Sequence, residues 1–273
     1  MSKFENMENQ NPINILAKME QGIAFSAAMQ EVPEVAFAHQ PGCLCCSDGR
    51  FSPSDATLEK EGMAGQGILL LFNEVELNDF VAKLKINPEK PQIIASHEAC
   101  GAAGLAFDAI KKLMAENQDE EVARIFAFLG ISQLPTTSDE LGVVYTKQLA
   151  KLTNIDYAHL ELSPEKEHHN ESGIIVTDLD FDERFIVTGE QQFFNSASAK
   201  LGLSDEYIKT ELTELTKIAF GSHGRMGHHD NEIFHLLVIS NPAGAARLSS
   251  IAEQVANNQI FSGRVKVEVA VRE

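Results

Sequence analysis

Gln92-Ile93-Ile94-Ala95-Ser96-His97-Glu98-Ala99-Cys100-Gly101 is the stretch on which the reading of this chain turns. Residues 92–96 form a short uncharged run with adjacent β-branched side chains, as a strand buried on both faces requires. From Gly101 to Met114 small and apolar residues recur at helical spacing, so a helix follows the strand at once. A buried strand leading into a helix is half of a parallel crossover. The polar residues His97 to Cys100 therefore sit just past the carboxyl end of a strand, where open α/β sheets place their sites.

The same pattern recurs along the chain. Val35 to Cys46 reads as a buried strand that ends in Cys46-Ser47-Asp48-Gly49-Arg50. Met63 to Leu84 reads as a helix entered through Gly62, Gly65 and Gly67, and Thr137-Ser138-Asp139-Glu140 as a capping box opening a helix to about Leu152. Further strands are expected at Tyr157–Leu162, Gly173–Thr177, Ile233–Ile239 and Val265–Val271, with a helix starting at Asn241-Pro242. The fold class is α/β, with a central, mostly parallel sheet flanked by helices. Residues 1–30 are expected to form an N-terminal helical arm, capped by Asn11 and striped by Ile15, Leu16, Met19 and Ile23, that lies across a partner subunit. Residues 31–273 are expected to be one domain, with no internal repeat and no clear functional signal after about Leu152.

Composition narrows the function. The 273 residues carry 22 Lys plus Arg against 40 Asp plus Glu, a formal charge of -18, which disfavours nucleic acid and anionic membrane as partners. No apolar run is long enough to span a bilayer, and none follows the N-terminus as a secretory signal would. Cys43, Cys45, Cys46 and Cys100 fall in two tight clusters, a pattern of metal or thiol chemistry in a reducing cytoplasm.

Cys46, His97 and Cys100 supply two thiolates and an imidazole, three of the four ligands of a tetrahedral Zn²⁺ site, one per chain. The open fourth position distinguishes a catalytic site from a structural one. Residues two apart on an extended segment point the same way, so Cys46, Asp48 and Arg50 share a site while Cys43 and Cys45 face away. Asp48 can orient the metal's water or close the shell as a fourth ligand. Arg50 can grip the Asp48 carboxylate and draw it off the metal. Cadmium and cobalt suit the same ligands.

Cys-x-Asp-x-Arg followed by His-x-x-Cys-Gly resembles the β-class carbonic anhydrases, and the likeness extends through Phe51-Ser52-Pro53. The segment from Glu61 to Gly67 carries no Arg-Asn-Ala-Gly and is closer to the ζ class. The resemblance covers roughly residues 35–110. It implies a zinc-centred α/β fold and reversible hydration of CO₂ to bicarbonate by a metal-bound hydroxide. It also implies Asp48 and Arg50 as the orienting dyad, Cys46, His97 and Cys100 as metal ligands, and a homodimer or a multiple of dimers. Rival readings are hydrolysis of carbonyl sulfide or carbon disulfide, a catalytically silent zinc protein, and a thiol redox protein built on Cys43, Cys45 and Cys46.

The remaining motifs favour plainer roles. Cys43 and Cys45 read as apolar fillers, and the glycines at 62, 65 and 67 as tight backbone packing rather than an anion cradle. His223-Gly224-Arg225-Met226-Gly227-His228-His229-Asp230 reads as a solvated turn before a second metal site or a proton shuttle, and His168-His169 is similar. Asp178-Leu179-Asp180-Phe181-Asp182 lacks the glycine and final glutamate of a calcium loop and reads as a strand edge. Glu98 reads as a helix-start carboxylate.

Overall fold

In the computed structural model, residues 12–37, 41–48, 59–87, 91–160, 170–186, 192–261 and 263–272 are described. The chain forms two compact units. One comprises Pro41–Pro53 and Lys60–Glu167 and holds all four cysteines; it is called the cysteine unit below. The other comprises Met1–Gln40, Ser54–Glu59 and His168–Glu273 and is called the terminal unit.

The cysteine unit is built on strands β1 (Pro41–Cys45), β2 (Glu59–Gly62), β3 (Ile93–His97) and β4 (Asp156–Leu160), in the order β2-β1-β3-β4. β1 pairs with β3, and β3 with β4, in parallel. Met63 N–H donates to Cys45 O (3.0 Å) and Ser47 N–H to Met63 O (3.2 Å), the parallel pattern again. Ile94, Ala95 and Leu44 are buried, which is why these strands read as continuous apolar runs.

Between β2 and β3 the chain departs from one long helix. Gly65, Gln66 and Gly67 take positive φ (52°, 54° and 89°) inside the irregular helical segment Ala64–Phe72. The α-helix proper begins only at α3 (Glu74–Ile86), where the Asn73 side chain accepts from Glu76 N–H. β3 leads to α4 (Gly101–Ala115), α5 (Asp119–Leu129) and α6 (Ser138–Thr153). Helix α6 carries the expected capping box, with Thr137 and Glu140 bonded reciprocally.

The terminal unit repeats the plan. Its strands β5 (Glu171–Thr177), β6 (Gln192–Ser196), β7 (Phe234–Ser240) and β8 (Val265–Val271) run in the order β6-β5-β7-β8, all parallel. Helices α7 (Asp205–Phe220) and α8 (Arg225–His228) lie between β6 and β7, and α9 (Pro242–Ala256) between β7 and β8. Helices α1 (Ile15–Glu20) and α2 (Phe25–Met29) supply Ile15, Phe25, Ala28 and Met29 to a core shared with Ile175, Leu237, Ile239 and Ala270. The stripe of Leu16, Met19 and Ile23 packs on that same core. No helix among the described residues is long and apolar enough to cross a membrane.

Candidate metal centre

β1 and β3 are neighbours, so the residues just past their carboxyl ends are brought together. Cys46 follows β1, His97 ends β3, and Cys100 caps α4; they are 4%, 2% and 6% exposed. Their ligand atoms all lie within 4.8 Å of one another. They are the only such group of three or more among the described residues.

The spacing suits a metal ion. Two Zn–S bonds of about 2.3 Å at a tetrahedral angle place the sulfurs about 3.8 Å apart. Cys46 Sγ and Cys100 Sγ are 3.8 Å apart. His97 Nδ1 lies 2.6 Å from Glu98 O, an oxygen that can only accept, so Nδ1 carries the proton and Nε2 is the nitrogen of the neutral ring that could ligate a metal. Ala99, between the two β3-side ligands, takes φ 51° and donates its N–H to Asp139 Oδ1 (3.0 Å). That left-handed residue turns the chain so that Cys100 returns toward Cys46.

The three groups titrate interdependently. The hydrogen bond with Cys100 holds the Cys46 thiol well below the ordinary thiol range; it outweighs burial, and neighbouring His97 adds to it. Cys100 shifts the opposite way, because it keeps the shared proton and is buried. Burial opposes charge on His97, yet the adjacent Cys46 and Asp48 leave its basicity raised. Gly65 N–H, presented by the left-handed turn, donates to Cys46 Sγ (3.3 Å) and favours the thiolate.

Asp48 is 2% exposed, and its charge is felt by Cys46, His97 and Cys100. It is not a member of the group of mutually close ligand atoms. Its backbone oxygen accepts from Lys60 Nζ (2.8 Å). Arg50 lies outside the described residues.

No known family, curated protein or solved structure matches this chain.

Several supporting residues escape a reading by motif. Lys60 is charged yet 7% exposed. Gln66 is 2% exposed; its Oε1 accepts from Thr146 Oγ (3.2 Å) and its backbone oxygen from Tyr145 OH (3.3 Å). Its amide nitrogen is buried without a hydrogen-bond partner among the described residues. The sequence signal for this corner is the paired glycines around Gln66. A Cβ on Gly65 would stand 2.7 Å from Ile68 Cγ2 and 3.1 Å from Ala102 Cβ, so the segment does pack tightly.

Other candidates take structural parts. Cys43 and Cys45 hydrogen-bond each other within the buried strand, which lowers the first thiol and raises the second. In the terminal unit, His228 Nε2 donates to Ser222 O (2.8 Å) and Arg225 forks onto Glu232 (2.6 and 2.8 Å), building a local turn. His168-His169 lies outside the described residues. Asp178 to Asp182 is a loop rather than a strand edge: Asp182 caps the short helical turn Glu183–Phe185 and is gripped by Arg184. Glu98 points to solvent.

Proposed function

We propose that the cysteine unit is a carbonic anhydrase that interconverts CO₂ and bicarbonate with one Zn²⁺ held by Cys46, His97 and Cys100. The observation that carries the reading is the convergence of two distant motifs into one buried cluster. Its sulfur separation suits tetrahedral zinc, and it includes three protein ligands without the Asp48 carboxylate. Zinc on these ligands supplies Lewis acidity, which makes water acidic enough to serve as a nucleophile near neutral pH.

The protein's own residues do the rest. The Glu98 carbonyl fixes the tautomer of His97, and Gly65 N–H supports the Cys46 thiolate. Asp48, buried and close by, accepts a hydrogen bond from the attacking water and sets its lone pair toward the CO₂ carbon. Arg50, two residues on in the sequence, is assigned in this reading to restrain that carboxylate. Two soft thiolates favour zinc or cadmium over magnesium or calcium. In this reading the substrate is CO₂, the assembly a homodimer and the compartment the cytoplasm.

Stopped-flow CO₂ hydration by protein carrying about one zinc per chain tests the reading. Rapid turnover that Asp48→Ala removes, with zinc retained, supports it. Zinc-loaded protein without turnover across neutral and alkaline pH would overturn it and direct attention to carbonyl sulfide and carbon disulfide.

A further inference from the structure

The two sheets share one strand order: β2-β1-β3-β4 in the cysteine unit and β6-β5-β7-β8 in the terminal unit. In each, the first and third strands are neighbours and open a crevice at their carboxyl ends. In the cysteine unit that crevice holds the metal ligands.

Aligning the carboxyl ends of β1 at Cys45 and of β5 at Thr177 sets the comparison, and strand register carries it across to β3 and β7. Cys43 pairs with Ile93 across β1 and β3, and Ile175 pairs with Leu237 across β5 and β7. Superposing these pairs matches Cys46 with Asp178, Ser96 with Ser240, His97 with Asn241, Ala99 with Ala243 and Cys100 with Gly244. Side-chain direction agrees independently. Cys100 Sγ approaches Cys46 Sγ to 3.8 Å. A Cβ built on Gly244 would run into Asp178 Oδ2 at 1.9 Å. Position 244 therefore aims at position 178 as position 100 aims at position 46.

We propose that the terminal unit is an internal copy of the cysteine unit in which the Asp178 carboxylate fills the metal seat. The proposal rests on Cys46, His97 and Cys100 being metal ligands. Asp178 Oδ2 accepts from Ser240 Oγ (3.0 Å) and lies in the space that Gly244 leaves at the start of α9. A helix N-terminus favours an anion there. Oδ1 is buried without a hydrogen-bond partner among the described residues. Asn241 has turned to capping, accepting from Ala243 and Gly244 N–H (2.9 Å each).

The copy is not strict. The cysteine unit makes a left-handed turn at Ala99 before its helix, whereas α9 starts at Pro242, directly after Asn241. A second trace survives two residues out of register: Asp48-Gly49-Arg50-Phe51 is matched by Asp182-Glu183-Arg184-Phe185. There the Arg184 guanidinium forks onto the Asp182 carboxylate, with Nε to Oδ1 at 2.9 Å and Nη2 to Oδ2 at 2.7 Å. Three replaced ligand positions, with an Asp-x-Arg pair shifted by two residues, are what a duplicated centre leaves after its metal is given up.

The test starts from metal content. Wild-type chain should carry about one zinc and the Cys46→Ser/Cys100→Ser protein none. Two per chain in the wild type overturns the proposal, while metal retained by the double variant instead refutes the ligand assignment in the cysteine unit. In that double-variant background, Asp178→Cys, Asn241→His and Gly244→Cys together should restore a thiolate–cobalt charge-transfer band with added Co²⁺. A graft that folds, by circular dichroism, but shows no band overturns the proposal. Should the graft not fold, Gly244→Ala, Asp178→Gly and their combination decide, read by urea unfolding. Gly244→Ala should destabilise more with Asp178 present than in the Asp178→Gly background, where the Ser240 Oγ at 2.6 Å is the remaining close contact; additive effects overturn the seated carboxylate.

Discussion

Gly65→Ala probes the link between backbone conformation and metal chemistry. Gly65 sits at φ 52°, ψ 37°, where an L-residue costs about 1–2 kcal/mol. The new methyl would stand 2.7 Å from Ile68 Cγ2 and 3.1 Å from Ala102 Cβ, both in packed surroundings. Such overpacking costs about 1–3 kcal/mol. The metal-free protein should therefore lose about 2–5 kcal/mol in urea unfolding. Relief of the clash also moves the Gly65 N–H that donates to Cys46 Sγ at 3.3 Å. Loss of a bond that supports a metal ligand weakens metal binding about 10–100-fold, measurable by competition with a chromophoric chelator. Gly67→Ala is the control. It also takes positive φ, at 89°, and its Cβ would meet the flexible end of Met63 at 2.9 Å. It should lose stability while holding metal normally. Equal metal affinity in Gly65→Ala and wild type would refute the role given to this N–H.

Ile15→Ala should cost about 2–5 kcal/mol in denaturant unfolding, because Ile15 is fully buried in the terminal unit's core. Unchanged stability would mean the N-terminal helix is not part of that core. Thr137→Ala removes the cap of α6 and should cost about 1 kcal/mol, with Thr137→Ser restoring most of it. Glu232 accepts hydrogen bonds from Arg225, which hold its carboxyl below the ordinary glutamate value. Its small contribution is therefore present above the unfolded value and lost as pH falls through the folded one. Glu232→Gln should flatten the acid limb of stability slightly, and a steeper limb would contradict the sign.

The sequence is most legible where burial is uniform. Parallel strands covered on both faces become apolar runs, so β3 was displaced by one residue and β8 matched at both ends. Local signals with a mechanism also held, as in the capping box at Thr137 and the Asn241-Pro242 helix start. β2 was opaque because Lys60 and Glu61 are charged but buried, a tertiary choice that local propensity cannot foresee. The helix expected from Met63 was overridden by three successive positive φ angles, which glycine spacing hints at without specifying. At the site, the trio Cys46, His97 and Cys100 was readable because metal chemistry restricts residue type, and the structure brings the three into one buried group that could hold a metal ion. Gln66 and Lys60 were not, since amide and ammonium groups are ordinary surface residues until a fold buries them.

The repeat in strand order was hidden for a related reason. An apolar run identifies a strand, but not its neighbours, and the two halves differ in what joins their last strands: α4, α5 and α6 in one, α9 alone in the other. What both retain is the adjacency of first and third strands, with a helix starting near the shared carboxyl end. That adjacency is sufficient to bring together residues far apart in sequence, whatever their chemistry. The cysteine unit places two sulfurs and an imidazole there; the terminal unit places a carboxylate, a hydroxyl and a capping amide. The fold thus fixes where a site can form, and a few side chains decide whether that place holds a metal. In the proposed reading, function rests on Cys46, His97 and Cys100, and the core is what brings those three together.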